Sequence, residues 1–211
     1  MKTQDGPSKL QSADATAASA TYITDLTHFL DENGHAPIDA PKQLLEALDF
    51  FGGIVKAASS HTAGTELLST VPCRREPAKS CLTITNGSDG TIRWECPDCG
   101  ENGCISRWQG SSYDLSEAVE PDAGNRVGVH VTAEEHRLLR EIITSSQEAD
   151  AIIAGGIVTP KGVWLSGRIE DFDELLGSIA FDSNHAESAK RQRAMDQTYG
   201  KIEKVVEGSL S

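Results

Sequence analysis

The chain has 211 residues, of which 38% are hydrophobic, and its 32 acidic and 19 basic residues give a formal net charge of −13. This length suits one medium domain or two small ones, and it is sufficient to bury a core without disulfides. The negative charge argues against broad electrostatic capture of nucleic acid or of an anionic membrane surface.

The N-terminal residues 1–20 are mainly Ser, Ala, Thr and charged residues without periodicity, so we predict a disordered arm there. They contain no apolar segment typical of a secretory signal, and the longest apolar run, 151–158, is far shorter than the ~20 residues that a bilayer requires. We therefore expect a cytoplasmic protein without a membrane partner. In that compartment, five cysteines favour metal ligands or buried thiols over disulfides.

A pair of helices is predicted over residues 21–70. The first, over 22–33, has an apolar face at helical spacing, formed by Tyr22, Ile23, Leu26, Phe29 and Leu30. The second repeats apolar residues in the same way, at Leu44, Leu48, Phe51, Val55 and Ala58. Gly52 and Gly53 lie inside the second run, which predicts either a close helix contact or a break.

Residues 71–112 have the pattern of β structure. Apolar and polar residues alternate over 82–85 and again over 91–94, and Asn-Gly and Asp-Gly dipeptides lie between the two runs. We predict a hairpin there, followed by a third strand over 105–108. Residues 113–131 are predicted to be a linker.

The C-terminal region, 132–211, is predicted to be mostly helical. Thr132 and Glu135 have the spacing of a capping box at a helix start. Residues 156–166 predict a small hairpin, and apolar residues at helical spacing follow it in two further segments. The predicted fold class is therefore α+β, with a small three-stranded unit between N-terminal and C-terminal helices.

The segment Cys96-Pro-Asp-Cys99-Gly100 is the most specific motif in the chain. Two thiolates separated by two residues can bind one metal ion from a tight turn, and a glycine after the second cysteine suits the positive φ that such a turn requires. A closed tetrahedral zinc site needs two more ligands, and Cys73 and Cys81 are the obvious pair. We therefore predict a structural Zn²⁺ bound by Cys73, Cys81, Cys96 and Cys99.

Two alternatives concern the cysteines. Cys104, beside the third predicted strand, is expected to be a small buried residue, or else a substitute ligand for Cys73 or Cys81. Redox chemistry at Cys96 and Cys99 would need a helix N-terminus to lower one thiol pKa, and the residues that follow Cys99 do not begin a helix.

The motif in its three-stranded setting resembles the rubredoxin-type knuckle of zinc-ribbon proteins. The longer pattern over 72–115, with Cys73, Cys81, the motif itself and Trp108, is similar to a group of uncharacterised bacterial proteins that contain Cys-Pro-x-Cys-Gly. The resemblance covers about a fifth of the chain. It implies a zinc-ribbon fold and a bound zinc, but no activity.

Basic and aromatic residues accompany the predicted ribbon, whose net charge is zero, so one interpretation is that the tryptophans cover its small core and the charges solvate its faces. We expect a non-enzymatic interaction or regulatory protein whose ribbon presents a contact face to a protein partner. That face would consist of Arg74, Arg75, Arg93, Arg107 and Trp108. The alternative function is nucleic-acid binding by the same face, because aromatic and arginine side chains stack on exposed bases.

An enzyme with its site in the helical region is a third hypothesis. Asp171, Asp173 and His185 would be its candidate residues, but acids at this point are also typical of a helix N-terminus. The six histidines are scattered, without the His-Glu-x-x-His pattern of zinc hydrolases. We therefore predict no catalytic site.

Overall fold

The computed structural model describes residues 20–75, 80–119 and 126–209, so the predicted disordered arm lies almost wholly outside the described residues. The described chain is mixed α+β, as the sequence predicts. Its strands are β1 (Thr21–Asp25), β2 (Glu66–Pro72), β3 (Cys81–Asn86), β4 (Ile92–Glu95), β5 (Asn102–Ser106), β6 (Arg126–Val131), β7 (Ile157–Thr159) and β8 (Gly162–Arg168). Its helices are α1 (Lys42–Ser59), α2 (Ala133–Leu139), α3 (Gln147–Ala154), α4 (Ile169–Asn184) and α5 (Ala189–Ser209).

The N-terminal half is built on a five-stranded sheet with the order β1-β5-β4-β3-β2. The predicted hairpin corresponds to β3 and β4, and the third predicted strand, over 105–108, overlaps β5 only at 105–106 because β5 begins at Asn102. These three strands pair antiparallel in the middle of the sheet. Strand β2 extends the sheet antiparallel to β3, and β1 pairs parallel to β5. The three strands are therefore part of a larger sheet.

The first predicted helix, over 22–33, is wrong. Residues Thr21–Asp25 form β1, and only Leu26–Phe29 make a short 3-10 turn. The apolar spacing is misleading because Ile23, assigned to the buried helix face, is 86% exposed. Threonine, tyrosine and isoleucine favour strands, and the long-range pairing with β5 outweighs the local helical pattern.

Helix α1 covers one face of this sheet. The alternation in β3 places Leu82 and Ile84 inward, where they meet α1 residues such as Ile54 and Val55, and all four side chains are fully buried. Trp94 of β4 joins them, stacked on Tyr22 and edge-on to Phe50. The remaining inward side chains of this core include Leu26, Leu48, Phe51, Val71, Ile92, Ile105 and Trp108.

The C-terminal half has its own core. Strands β6, β8 and β7 form a second, antiparallel sheet, and helices α2–α5 pack with it around Leu139, Leu165 and Phe172. The predicted hairpin 156–166 corresponds to β7 and β8. The predicted linker 113–131 is wrong at its end, because Arg126–Val131 forms β6 and pairs along its whole length with β8.

The two halves are in direct contact. Lys56 Nζ of α1 lies 2.5 Å from Asp150 Oδ2 of α3, and His61 Nε2 donates to the Gly155 carbonyl at 2.8 Å. None of the helices in 20–75, 80–119 and 126–209 is both long and apolar enough to cross a bilayer.

The glycine pair of α1 gives a matched test of packing. A Cβ on Gly52 would lie 2.3 Å from the Tyr113 ring, whereas a Cβ on Gly53 would meet nothing within 4 Å. We expect Gly52→Ala to lower the free energy of unfolding by about 1–3 kcal/mol through overpacking. Gly53→Ala should raise it by up to about 1 kcal/mol, because alanine favours the helix. Urea denaturation measures both, and equal effects would contradict the packing of Tyr113 on α1.

A buried histidine predicts acid sensitivity. His136 is 4% exposed and its Nε2–H donates to the Ile153 carbonyl at 2.9 Å. Burial lowers its pKa, so the folded protein keeps this ring neutral while the unfolded chain takes up a proton near pH ~6.5. This contribution to stability is complete above that pH and is lost as the pH falls below it. Urea denaturation between about pH 6.5 and 5 measures how steeply the free energy of unfolding falls with pH, and we expect His136→Gln to make this fall less steep. An unchanged slope would assign the loss of stability to other groups.

Candidate metal site

Three cysteines converge at one end of the five-stranded sheet. Cys73 directly follows β2, and Cys96 and Cys99 lie in the tight turn between β4 and β5. We call the turn residues 96–100 the knuckle. Gly100 there has φ +68°, the left-handed conformation that the sequence predicts for this glycine.

The sulfur atoms of these three cysteines all lie within 4.8 Å of one another, and the Sγ atoms of Cys73 and Cys99 are 3.7 Å apart. Two thiolates bound at about 2.3 Å to a tetrahedral ion are separated by about 3.8 Å. The arrangement therefore fits a shared metal ion of the size of zinc.

Backbone hydrogen bonds shape the knuckle around Cys96. The Gly100 N–H donates to the Cys96 carbonyl at 2.9 Å, and the Cys96 N–H donates to the Glu101 carbonyl at 2.8 Å. Burial by itself would raise the pKa of Cys96, but N–H groups of Cys99 and Asp98 donate to its sulfur and bring the pKa below its usual value. The fold thus prepares this sulfur to be a thiolate, the form that binds metal.

Cys73 is in a different environment from Cys96. Its sulfur accepts from the Arg75 N–H at 3.4 Å, but burial, reinforced by the neighbouring thiols of Cys96 and Cys99, raises its pKa to about 12. Three sulfurs so close together cannot all carry a negative charge unless a cation lies between them. The group is therefore suited to a cation.

The structure does not bring the other two cysteines into this group. Cys81 begins β3 opposite Pro72 and lines a groove with His136 and Arg140. Its pKa is raised by burial and partly lowered again by Arg140. Cys104 lies on β5 opposite Arg93 and is half-buried. Of the four predicted ligands, Cys73, Cys96 and Cys99 are thus adjacent, and Cys81 is apart from them.

The predicted contact face is only partly available. Trp108 is 4% exposed, with its indole N–H donating to the Gly90 carbonyl at 2.9 Å, so the prediction that it is presented to a partner is wrong. The ring belongs to the core beneath the sheet, in line with the other interpretation, in which the tryptophans cover a core. Arg93 and Arg107 are exposed but form ion pairs with Asp89 and Asp25, respectively.

The remaining two arginines of that face adjoin the cysteine group. Arg74 is exposed, and its guanidinium lies 4.4 Å from the centre of the Phe50 ring. Arg75 is half-buried and follows Cys73 by two residues. Both act electrostatically on the hydroxyl of Tyr22, so their charges lie near the cysteines and near β1.

The candidate catalytic residues of the helical region do not form a site. Asp171 is buried and pairs with Arg168 at 2.8 Å, and it also accepts the Arg168 N–H at the start of α4. Asp173 is exposed. His185 is exposed at the end of α4, with its Nδ1 2.8 Å from the Phe181 carbonyl oxygen. Asp171 and His185 therefore stabilise helix ends.

One residue beside the cysteine group was not predicted from the sequence. Glu101 is 8% exposed, and its Oε2 lies 3.8 Å from the Cys73 sulfur. Its Oε1 accepts a hydrogen bond from the Tyr22 hydroxyl at 2.9 Å, which raises the pKa of Tyr22. The only hint in the sequence is an acid two positions after the second cysteine of the knuckle.

Comparisons with protein-family models, with curated proteins and with solved structures give no match to this chain. The function must therefore be inferred from its own residues.

Proposed function

We propose that the protein is a non-enzymatic interaction or regulatory protein in which a zinc ion has a structural role. The observation that carries the proposal is the convergence of the thiols of Cys73, Cys96 and Cys99, with the Cys73 and Cys99 sulfurs at the separation expected for a shared tetrahedral ion. Thiolates select zinc over magnesium and calcium, which prefer oxygen ligands.

A structural role agrees with where the ligands are located. The ion would join the end of β2 to the turn between β4 and β5, two places that the sheet alone connects only through β3. In this view β3, β4 and β5 with the knuckle constitute a zinc ribbon that is incorporated in a larger sheet. Reduced thiols are needed to bind the ion, which favours a reducing compartment such as the cytoplasm.

Redox catalysis at the knuckle is less well supported. In thiol-disulfide enzymes a helix N-terminus lowers the pKa of the reactive cysteine. Here the chain leaves Cys99 through Gly100 and enters β5, so the helix is missing at this position.

A protein partner is better supported than nucleic acid. Base stacking needs accessible aromatic rings beside free cations. Trp94 and Trp108 are both buried, and Arg93 and Arg107 are neutralised by acidic neighbours. Arg74 and Arg75 are the residues of the predicted face that adjoin the metal site, and we propose that they contact the partner.

The structural role predicts a link between zinc and stability. We expect one zinc per chain in native mass spectra, lost in Cys73→Ser, Cys96→Ser and Cys99→Ser. Chelation of the wild type should lower Tm by roughly 6–12 °C. This is the shift for a loss of about 3 kcal/mol in a chain of this size, the stabilisation that a ligand gives at about 100 times its Kd.

The matched control is Cys104→Ser, which should keep both the zinc and its Tm because this sulfur lies outside the group. Chelator should not lower the Tm of Cys96→Ser further, because this variant is expected to hold no zinc. The proposal would be overturned if the wild-type protein, purified in the absence of chelator, contained no metal.

The proposed contact predicts a charge-dependent partner. Affinity purification from the source cells should recover a protein with the wild type and much less of it with Arg75→Gln, with zinc in excess so that the zinc content stays at one per chain. Arg193→Gln, an exposed change on α5, should recover the wild-type amount. Recovery that disappears after nuclease treatment would favour the nucleic-acid alternative instead.

A further inference from the structure

We propose that the carboxylate of Glu101 is the fourth ligand of the metal, so that the site is of the Cys3Glu type and Cys81 is not a ligand. This inference rests on the proposed function, because it completes the coordination of the same ion. It assigns a ligand that no cysteine spacing could indicate.

The position of the carboxylate supports this assignment. A thiolate sulfur and a carboxylate oxygen bound to one tetrahedral zinc, at about 2.3 and 2.1 Å, are about 3.6 Å apart. Glu101 Oε2 and Cys73 Sγ are 3.8 Å apart. The carboxylate is outside the group whose ligand atoms are all within 4.8 Å of one another, so coordination requires the side chain to move toward the sulfurs of Cys96 and Cys99.

The backbone also fixes Glu101 to the knuckle. Its carbonyl accepts the Cys96 N–H at 2.8 Å, so the residue that offers the carboxylate is hydrogen-bonded to the residue that offers a thiolate. Gly100 alone separates Glu101 from Cys99. The side chain is therefore held beside the metal position by the same turn that presents Cys96 and Cys99.

The burial of Glu101 is an independent reason to assign it as a ligand. Glu101 is 8% exposed, and among residues 20–75, 80–119 and 126–209 no lysine, arginine or histidine forms an ion pair with it. Buried carboxylates are normally paired with a cation or bound to a metal, because an isolated buried charge is costly. A zinc ion at the cysteine group would supply the missing cation.

Tyr22 orients the carboxylate for this role. Its hydroxyl donates to Oε1 at 2.9 Å and leaves Oε2 on the side of Cys73. Metal-binding carboxylates commonly have such a hydrogen-bonded partner, which holds the ligand in its binding orientation. Since Tyr22 belongs to β1, the parallel edge strand would be coupled to the metal through Glu101.

Cys81 is less suited to be the fourth ligand. Its sulfur belongs to the groove beside His136 and Arg140, in contact with the C-terminal half, whereas the three grouped sulfurs lie at the knuckle. Glu101, by contrast, places its Oε2 3.8 Å from the Cys73 sulfur.

The charge of the site is also consistent with a Cys3Glu set of ligands. Three thiolates and a carboxylate around Zn²⁺ leave a net charge of about −2 on the site. Arg74 and Arg75, which act on the adjacent Tyr22 hydroxyl, are positioned to offset that charge.

The test compares zinc affinity by chelator competition in Glu101→Gln and Cys81→Ser. We expect Glu101→Gln to weaken zinc binding at least ~10-fold, because an amide is a poorer ligand than a carboxylate. Cys81→Ser should remain within about twofold of the wild type. Tyr22→Phe should weaken binding less than Glu101→Gln, since it removes only the orienting hydrogen bond.

A second measurement keeps the test independent of folding defects. In the cobalt-substituted protein, Glu101→Cys should bind metal and increase the sulfur-to-cobalt charge-transfer absorbance by about one third, because a fourth thiolate joins three. Cys81→Ser should leave that absorbance unchanged.

The opposite pattern would overturn the inference. A loss of about one quarter of the absorbance in Cys81→Ser, with Glu101→Gln unchanged in affinity, would identify Cys81 as the fourth ligand. Full zinc affinity in both variants would also overturn it, by leaving the fourth position to water. If zinc binding instead survives in Cys96→Ser, the proposed function itself fails, so the two failures are distinguishable.

Discussion

The mutual repulsion of closely spaced thiolates is the constraint on which the candidate site depends. The Cys73 and Cys99 sulfurs are 3.7 Å apart and Cys96 lies beside both, so three thiolates at this point require a cation between them. Burial and the neighbouring thiols together raise the pKa of Cys73 to about 12. A divalent ion at this point removes the repulsion and binds three chain positions together. The same contacts that are unfavourable without metal thus become cross-links with it.

The sheet is what brings these positions together. Strand β2 ends at Pro72, next to the start of β3, and the short turn between β4 and β5 lies at the same end because the strands alternate in direction. Cys73, directly after β2, therefore lies at the same end of the sheet as the knuckle. The core beneath, where α1 packs against β3 and β4, fixes the relative position of the strands. The candidate metal site depends on that core, and we infer that an ion bound there would in turn stabilise the end of the sheet where Cys73 and the knuckle meet.

Short sequence patterns correctly predicted the features that interactions between neighbouring residues determine. The knuckle, the positive φ of Gly100, the capping box at Thr132 and the strands β3 and β4 all follow from a few neighbouring residues. Features set by distant contacts were not predictable in this way. Strand β1 has an apolar spacing that also fits a helix, and only pairing with β5 decides the outcome. For Trp108 the sequence leaves both the surface and the core open, and its burial depends on the whole sheet. Counting cysteines likewise could not reveal a buried glutamate beside them.

A zinc ion with this set of ligands would link stability to metal supply. Domains of ordinary size are stable by only about 5–15 kcal/mol, so a loss of about 3 kcal/mol on metal removal is a substantial fraction. The effect would be concentrated at the knuckle and at β1, whose Tyr22 is bonded to Glu101, while the core around Phe172 lies in the other half. Arg74 and Arg75 directly follow the candidate ligand Cys73, so ordering of Cys73 by the ion would also order the two residues that we propose to contact a partner. Metal binding and partner binding would then be coupled through one short segment, which is the physical basis for a regulatory role.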